Sequence, residues 1–239
     1  MSLVSLLRGN RNKLNDEPVI ESKPRIKKTY KCVLIDPIDT LISIDDFVNN
    51  ILMDELSNIN IRYDNNFIHN SIYLGLHNFV CKYKKMTSDN DNYKLFISRF
   101  TDDLINDKYL TLINTYTDVI DTLSYLNELG VETVSVTTLP SKFIRYSYQK
   151  FGYNKFFDTV LSDNKFLDSQ SRINNVVQFK RLFDYETSEI LVVGNSNYMY
   201  DIANRLNCDL FCLSQLDRCD ASYDYIGKAK NLSNLKNMW

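Results

Sequence analysis

The sequence predicts an α/β protein built on a parallel sheet with helices on both faces, and three observations point there. Apolar runs of strand length alternate with helical stripes from about residue 116 onward. A long helical stretch without a strong strand separates the first strand from that alternation. The polar residues best suited to chemistry stand where strands end, and in an open α/β sheet those ends converge on the binding crevice.

The first element is the apolar run Cys32 to Ile35 in "KCVLIDPIDTL", which stops at Asp36. From Asp45 to about Thr115 apolar residues recur at helical spacing, with Phe47, Ile51, Leu52 and Leu56 on one face and Ile68, Ile72, Leu76 and Phe79 on another. Tyr93, Phe96, Phe100 and Leu104 make a third such face. Val119, Leu123, Leu126 and Leu129 form the stripe of the next helix, Gly130 stops it, and "VETVSVT" is a strand ending at Thr137. "SKFIRYSYQKFGY" reads as a helix stopped at Gly152, "FFDTVLSD" as a strand and "NNVVQFKRLF" as a helix. "EILVVGNS" is then a very apolar strand, "YDIANRLNC" a helix and "CDLFCLS" a further strand. Short β/α alternation of this kind favours parallel pairing.

Three segments follow: an arm over 1–30, a core domain over 31–44 and 116–239, and a helical cap over 45–115 inserted after the first strand. With 239 residues, 44% of them hydrophobic, the chain can bury a sizeable core. Of its 28 basic and 30 acidic residues, eight basic and three acidic ones lie in 1–31, leaving 20 against 27 in the remainder. The basic arm is expected to be a flexible, solubilising tail, with an acidic partner or nucleic acid as the alternative. No apolar run reaches the roughly 20 residues of a membrane span, and "MSLVSLL" is too short for a signal peptide's apolar core, so no membrane partner and a cytoplasmic location are expected. Cys32, Cys81, Cys208, Cys212 and Cys219 are odd in number and lack paired metal-ligand spacing; most are expected to be small buried hydrophobes. His69 and His77 sit in a helical-looking region, away from the strand ends. Tyr198 and Tyr200 are expected to pack on the helix after "EILVVGNS".

"VLIDPIDTL", "LNELGVETVSVTT" and "ILVVGNSNYMYD", in that order and spacing, resemble the motifs of the haloacid dehalogenase-like superfamily of hydrolases over roughly residues 31–213. The resemblance implies a Rossmann-like core with a helical cap after the first strand. It also implies Asp36 as a nucleophile that takes a phosphoryl group as an aspartyl-phosphate. Thr137 would hydrogen-bond the transferring oxygens, with Thr138 beside it as a substrate contact. Magnesium would be held by Asp36, the Ile38 main-chain carbonyl, Asn195 and Asp201. Arg172 is the nearest cation for the third motif, with Lys165 second and Lys180 expected to face solvent.

The chain departs from that pattern at three places. Ile38 stands where the family's phosphatases have a general acid and base, and Asp39, one position late, stands where glycine is common. A one-residue shift in extended chain turns the side chain to the opposite face. Asn195 replaces an aspartate and keeps an oxygen for a metal without the charge, and no lysine falls at the third-motif spacing near Gln170. Losing a general acid/base costs roughly 10²- to 10⁴-fold in rate. Three functions are therefore open: a weak or inactive member used for binding or assembly; a magnesium-dependent phosphohydrolase acting on a small phosphorylated molecule, with Asp39 or Asp201 covering the gaps; and a dehalogenase-like hydrolase.

Overall fold

The computed structural model describes residues 29–47, 50, 51, 54, 91, 95, 98, 99, 102, 103, 107–137, 139, 141–162, 185–215 and 219–239. Its strands are β1 (Cys32–Ile35), β2 (Ile42–Ser43), β3 (Asn114–Thr115), β4 (Glu132–Thr137), β5 (Thr159–Ser162), β6 (Ile190–Val193), β7 (Asp209–Leu213) and β8 (Gly227–Ala229). The helices are α1 (Asp107–Leu110), α2 (Val119–Glu128), α3 (Ser141–Phe151) and α4 (Asn197–Leu206), with 3₁₀ turns at Thr187–Glu189 and Leu232–Met238.

Six strands form one sheet in the order β5-β4-β1-β6-β7-β8, and every neighbouring pair is parallel. The strand order reverses at β1, with β4 on one side and β6 on the other, which makes the carboxyl end of β1 the switch point where a crevice opens. All four residues of β1 are buried because both faces of the strand are covered.

Alternate residues of the central strands feed two cores. Val33, Ile35, Leu191, Val193 and Leu213 face Val119, Leu123 and Leu126 of α2, Phe143, Ile144 and Tyr148 of α3, and Leu232 and Leu235 of the last turn. Cys32, Leu34, Val134, Val136, Ile190 and Val192 face Met199, Ile202, Ala203 and Leu206 of α4. Each such Leu, Ile, Val or Phe contributes on the order of 1.5–3 kcal/mol by leaving water. Helices thus cover both faces, as the β/α alternation requires. Gly130 and Gly152, at φ 71° and 75°, turn the chain out of α2 and α3 in the left-handed conformation that glycine adopts freely.

Two features were not expected. β8, "GKA", carries no apolar run and joins the sheet at its edge by pairing with β7. β2 and β3 form a two-stranded antiparallel ribbon, Ile42 opposite Thr115 and Ser43 opposite Asn114, which clamps the two ends of the segment between them. Of the segment assigned to a cap, Phe47, Ile51, Tyr109, Leu110 and Ile113 belong to the same core as β1, and the Phe47 and Phe143 rings lie 5.2 Å apart. Most of that segment, including His69, His77 and Cys81, lies outside the described residues, as do the arm over 1–28 and the helix expected in "NNVVQFKRLF". Among the described residues, no helix is long and apolar enough to cross a membrane.

The cysteines correct one expectation. Cys32 and Cys208 are not disulfide-bonded, but Cys212 and Cys219 form a disulfide with Cα atoms 6.0 Å apart. An odd cysteine count does not exclude a local pair, here one cysteine in β7 and a second seven residues on.

Candidate active site

Asp36 continues β1 by one residue, its N–H donating to Val193 O of β6 at 3.0 Å. The chain then turns: Leu41 and Ile42 N–H both return to Pro37 O, and the Thr40 hydroxyl donates to Asp36 O. Only 2% of Asp36 is exposed. Its Oδ1 accepts the Ile38 N–H at 3.1 Å and its Oδ2 accepts the Ser196 hydroxyl at 3.0 Å. Burial pushes this carboxyl up to about 7, with the nearby Asp39 charge adding to the rise; hydrogen bonds from Ile38 N–H, Tyr198 and Ser196 oppose it. Gly194 allows β6 and α4 to come this close, since a Cβ there would stand 3.1 Å from Asp36 Cβ and 3.0 Å from Met199 Cγ.

Asp39 adopts φ 60°, a left-handed conformation that costs a non-glycine residue about 1 kcal/mol or more. Glycine would be relaxed there, and the aspartate is held by its side chain instead. Asn195 Nδ2 and Ser214 Oγ each donate to its Oδ2 at 2.6 Å, and Tyr116 OH donates to its Oδ1 at 3.3 Å. Its main chain is fixed too: its N–H reaches Ile42 O at 2.8 Å, and its carbonyl accepts the Gln215 N–H at 3.2 Å. Asp39 thereby binds the β1 turn to the ends of β6 and β7. Burial, and secondly the Asp39 charge, raise the Tyr116 phenol above its ordinary value. The Ile38 side chain packs against the α2/α3 core.

The structure brings Asp36, Asp39 and Asn195 together. Thr137 ends β4, beside β1, where the last paired residues are Ile35 and Ser135. It is buried, and its Oγ1 accepts the Leu139 N–H at 3.0 Å, so it shapes the turn leaving the strand. Asp201 is exposed on α4, whose inward face is Met199, Ile202, Ala203 and Leu206. Thr138, Lys165, Arg172 and Lys180 lie outside the described residues.

Four site residues escaped sequence reasoning. Ser214 stands at the carboxyl end of β7, and the strand-end rule that singled out Asp36 would have found it. Ser196 looks like a helix cap, but its hydroxyl goes to Asp36 and makes no cap hydrogen bond. Tyr198 was expected only to pack on α4; its hydroxyl donates to Val136 O of β4 at 2.9 Å, and it also hydrogen-bonds Asp36. Tyr116 arrives from 77 residues away, and no local pattern marks it. Tyr200, by contrast, stacks on Tyr223 with ring centroids 4.0 Å apart.

For a divalent cation, this donor set is incomplete. Asp36 offers its carboxylate, but both Asp39 oxygens accept hydrogen bonds from the protein and the Asn195 amide nitrogen is turned toward Asp39. Among the described residues, no three His, Cys, Asp or Glu side chains group as a metal site would require. Mg²⁺ favours carboxylates, so the residues as arranged do not fit it.

With fold and site geometry in place, the chain's class follows. It belongs to the haloacid dehalogenase-like hydrolase family, whose model matches residues 34–212. A search of curated proteins finds no match. Solved structures share the fold at low identity. A candidate phosphatase from Clostridium difficile is 17% identical with a TM-score of 0.73, over 89% of this chain and 99% of that one. CbbY from Rhodobacter sphaeroides, solved with phosphate, is 10% identical with a TM-score of 0.71, over 87% of this chain and 96% of that one. The candidate hydrolase YfnB from Bacillus subtilis, solved with magnesium, is 17% identical with a TM-score of 0.65, over 88% of this chain and 99% of that one.

Proposed function

We propose that this chain is a catalytically weak or inactive member of the family that uses the fold to bind a phosphorylated small molecule or a protein partner. One observation carries the proposal: the Asp39 carboxylate, the nearest replacement for the missing acid at Ile38, is engaged inside the protein by Asn195, Ser214 and Tyr116. A group so held fastens the turn and is badly placed to pass a proton to a leaving group. Ile38 offers no proton, and its half-buried side chain packs against the core. An intracellular setting, with the basic arm available to an acidic partner or nucleic acid, belongs to the same proposal.

The second function is a phosphohydrolase with Asp36 as nucleophile, favoured by the burial of Asp36 at the switch point next to the end of β4. It would call on the magnesium that the family resemblance implies, which YfnB holds and which this donor set does not complete. A dehalogenase-like hydrolase has no specific observation in its favour.

Hydrolysis of a generic phosphate ester, with and without Mg²⁺, separates the two. The weak-or-inactive function expects turnover at or near background for the purified protein, and Ile38→Asp with Asn195→Asp to raise Mg²⁺ affinity by calorimetry. Their effects should be non-additive because both act on one site. Robust native turnover that Asp36→Asn abolishes would refute inactivity and establish the phosphohydrolase.

A further inference from the structure

We propose that the Cys212–Cys219 disulfide is a redox latch on this site, holding the turn that carries Asp36 and Asp39 closed when oxidised and releasing it when reduced. The disulfide closes a short ring at the end of β7, and the two residues of β7's end that grip Asp39 lie within that ring. The Ser214 hydroxyl donates to Asp39 Oδ2 at 2.6 Å. The Gln215 N–H donates to Asp39 O at 3.2 Å. Ser214 is also held by sheet pairing, its N–H donating to Ala229 O at 3.1 Å, and keeps that anchor whatever the state of the sulfurs. Gln215 lies beyond the strand, and among the described residues its buried side-chain Nε2 has no hydrogen-bond partner. An orphaned buried donor costs about 1–3 kcal/mol, so the amide nitrogen does not help to hold Gln215 in place. Closure of the ring by the disulfide does.

The chemistry follows from exposure. Cys212 is fully buried in β7, whereas Cys219 is partly exposed. A dithiol reductant would attack Cys219 Sγ, forming a mixed disulfide and expelling Cys212 as a thiolate that takes up a proton. The reductant's second sulfur then closes its own disulfide and frees Cys219 as a thiol. Two electrons and two protons pass from the dithiol to the two cysteine sulfurs. Without the disulfide Gln215 is no longer tied from beyond the strand, and its bond to Asp39 must hold against the conformational entropy that cross-link had removed. Asp39, already in a left-handed conformation, loses one of its fixed ends. The latch stands whether or not Asp36 transfers phosphoryl groups.

The test uses the full chain purified without reductant. Alkylation under denaturing conditions should modify three of the five cysteines, and peptide mapping should recover Cys212 linked to Cys219. Hydrogen exchange is then followed with and without dithiothreitol. Amides of residues 36–43 should exchange about tenfold or more faster on reduction, while α2 is unchanged. Cys219→Ser should show the fast exchange without reductant and no further response to it, whereas Cys208→Ser should behave as the unmodified protein does. If Cys219→Ser fails to fold, the reductant response of the unmodified protein decides. Five modifiable cysteines, unchanged exchange at 36–43 on reduction, or equal acceleration throughout the molecule would each overturn the latch, the last because it marks a general staple.

Discussion

Replacing Asp36 with asparagine should stabilise the protein at pH 8 far more than at pH 5. Burial lifts the Asp36 carboxyl from 3.8 to about 7 in the folded state. At about 1.4 kcal/mol per pH unit, the buried charge costs the folded chain up to about 4 kcal/mol above pH 7. The sign follows from proton linkage. The folded state holds the proton more tightly than the unfolded chain does, so this share of stability is complete below pH 3.8 and lost as the pH rises to about 7. Asparagine has no proton to lose. Its oxygen can still accept the Ile38 N–H, and the Ser196 hydroxyl can rotate to accept from the amide, so imperfect hydrogen bonding costs only about 1 kcal/mol. The stability difference between variant and parent should therefore move in the variant's favour by about 2–3 kcal/mol between pH 5 and pH 8. Urea unfolding followed by fluorescence of Trp239 measures it, since this only tryptophan of the chain packs edge-on against Tyr30 with centroids 5.8 Å apart. A difference independent of pH, or a variant weaker than the parent at pH 8, would show that Asp36 is not held at a raised pKa by burial.

Asp39→Ala should lose about 3 kcal/mol or more in the same assay, because it orphans the Asn195 and Ser214 donors and leaves alanine at φ 60°. Asp39→Gly should lose less, since only the donors suffer; equal losses would mean that the backbone conformation contributes nothing. Gly194→Ala should cost about 1–3 kcal/mol by pressing Asp36 and Met199 apart, and a neutral result would show that the approach of β6 and α4 is slack. Tyr198→Phe removes a hydrogen bond that lowers the Asp36 pKa, so the carboxyl titration read by NMR should move upward; a downward or absent shift would remove Tyr198 from the site.

Pattern along the chain determined the architecture of this protein and the position of its candidate site. Four apolar residues closed by Asp36, a run ending in Thr137 and a run entering Gly194-Asn195 identify central strands of a parallel sheet, because only a strand covered on both faces buries every side chain. The same pattern brings Asp36, Thr137 and Asn195 to adjacent strand ends, since parallel strands share a direction. What Asp39 does was decided by tertiary structure alone. Its carboxylate meets Tyr116, Asn195 and Ser214, which lie 77, 156 and 175 residues away. Periodicity reports which face of an element a residue occupies and carries no term for a partner on a distant strand. The raised Asp36 carboxyl has the same origin, for desolvation depends on everything packed around a group. The disulfide and β8 were equally hidden from local pattern: a cysteine pair needs two Cα atoms brought within bonding reach, and a short edge strand is stabilised by the neighbour it pairs with rather than by its own composition.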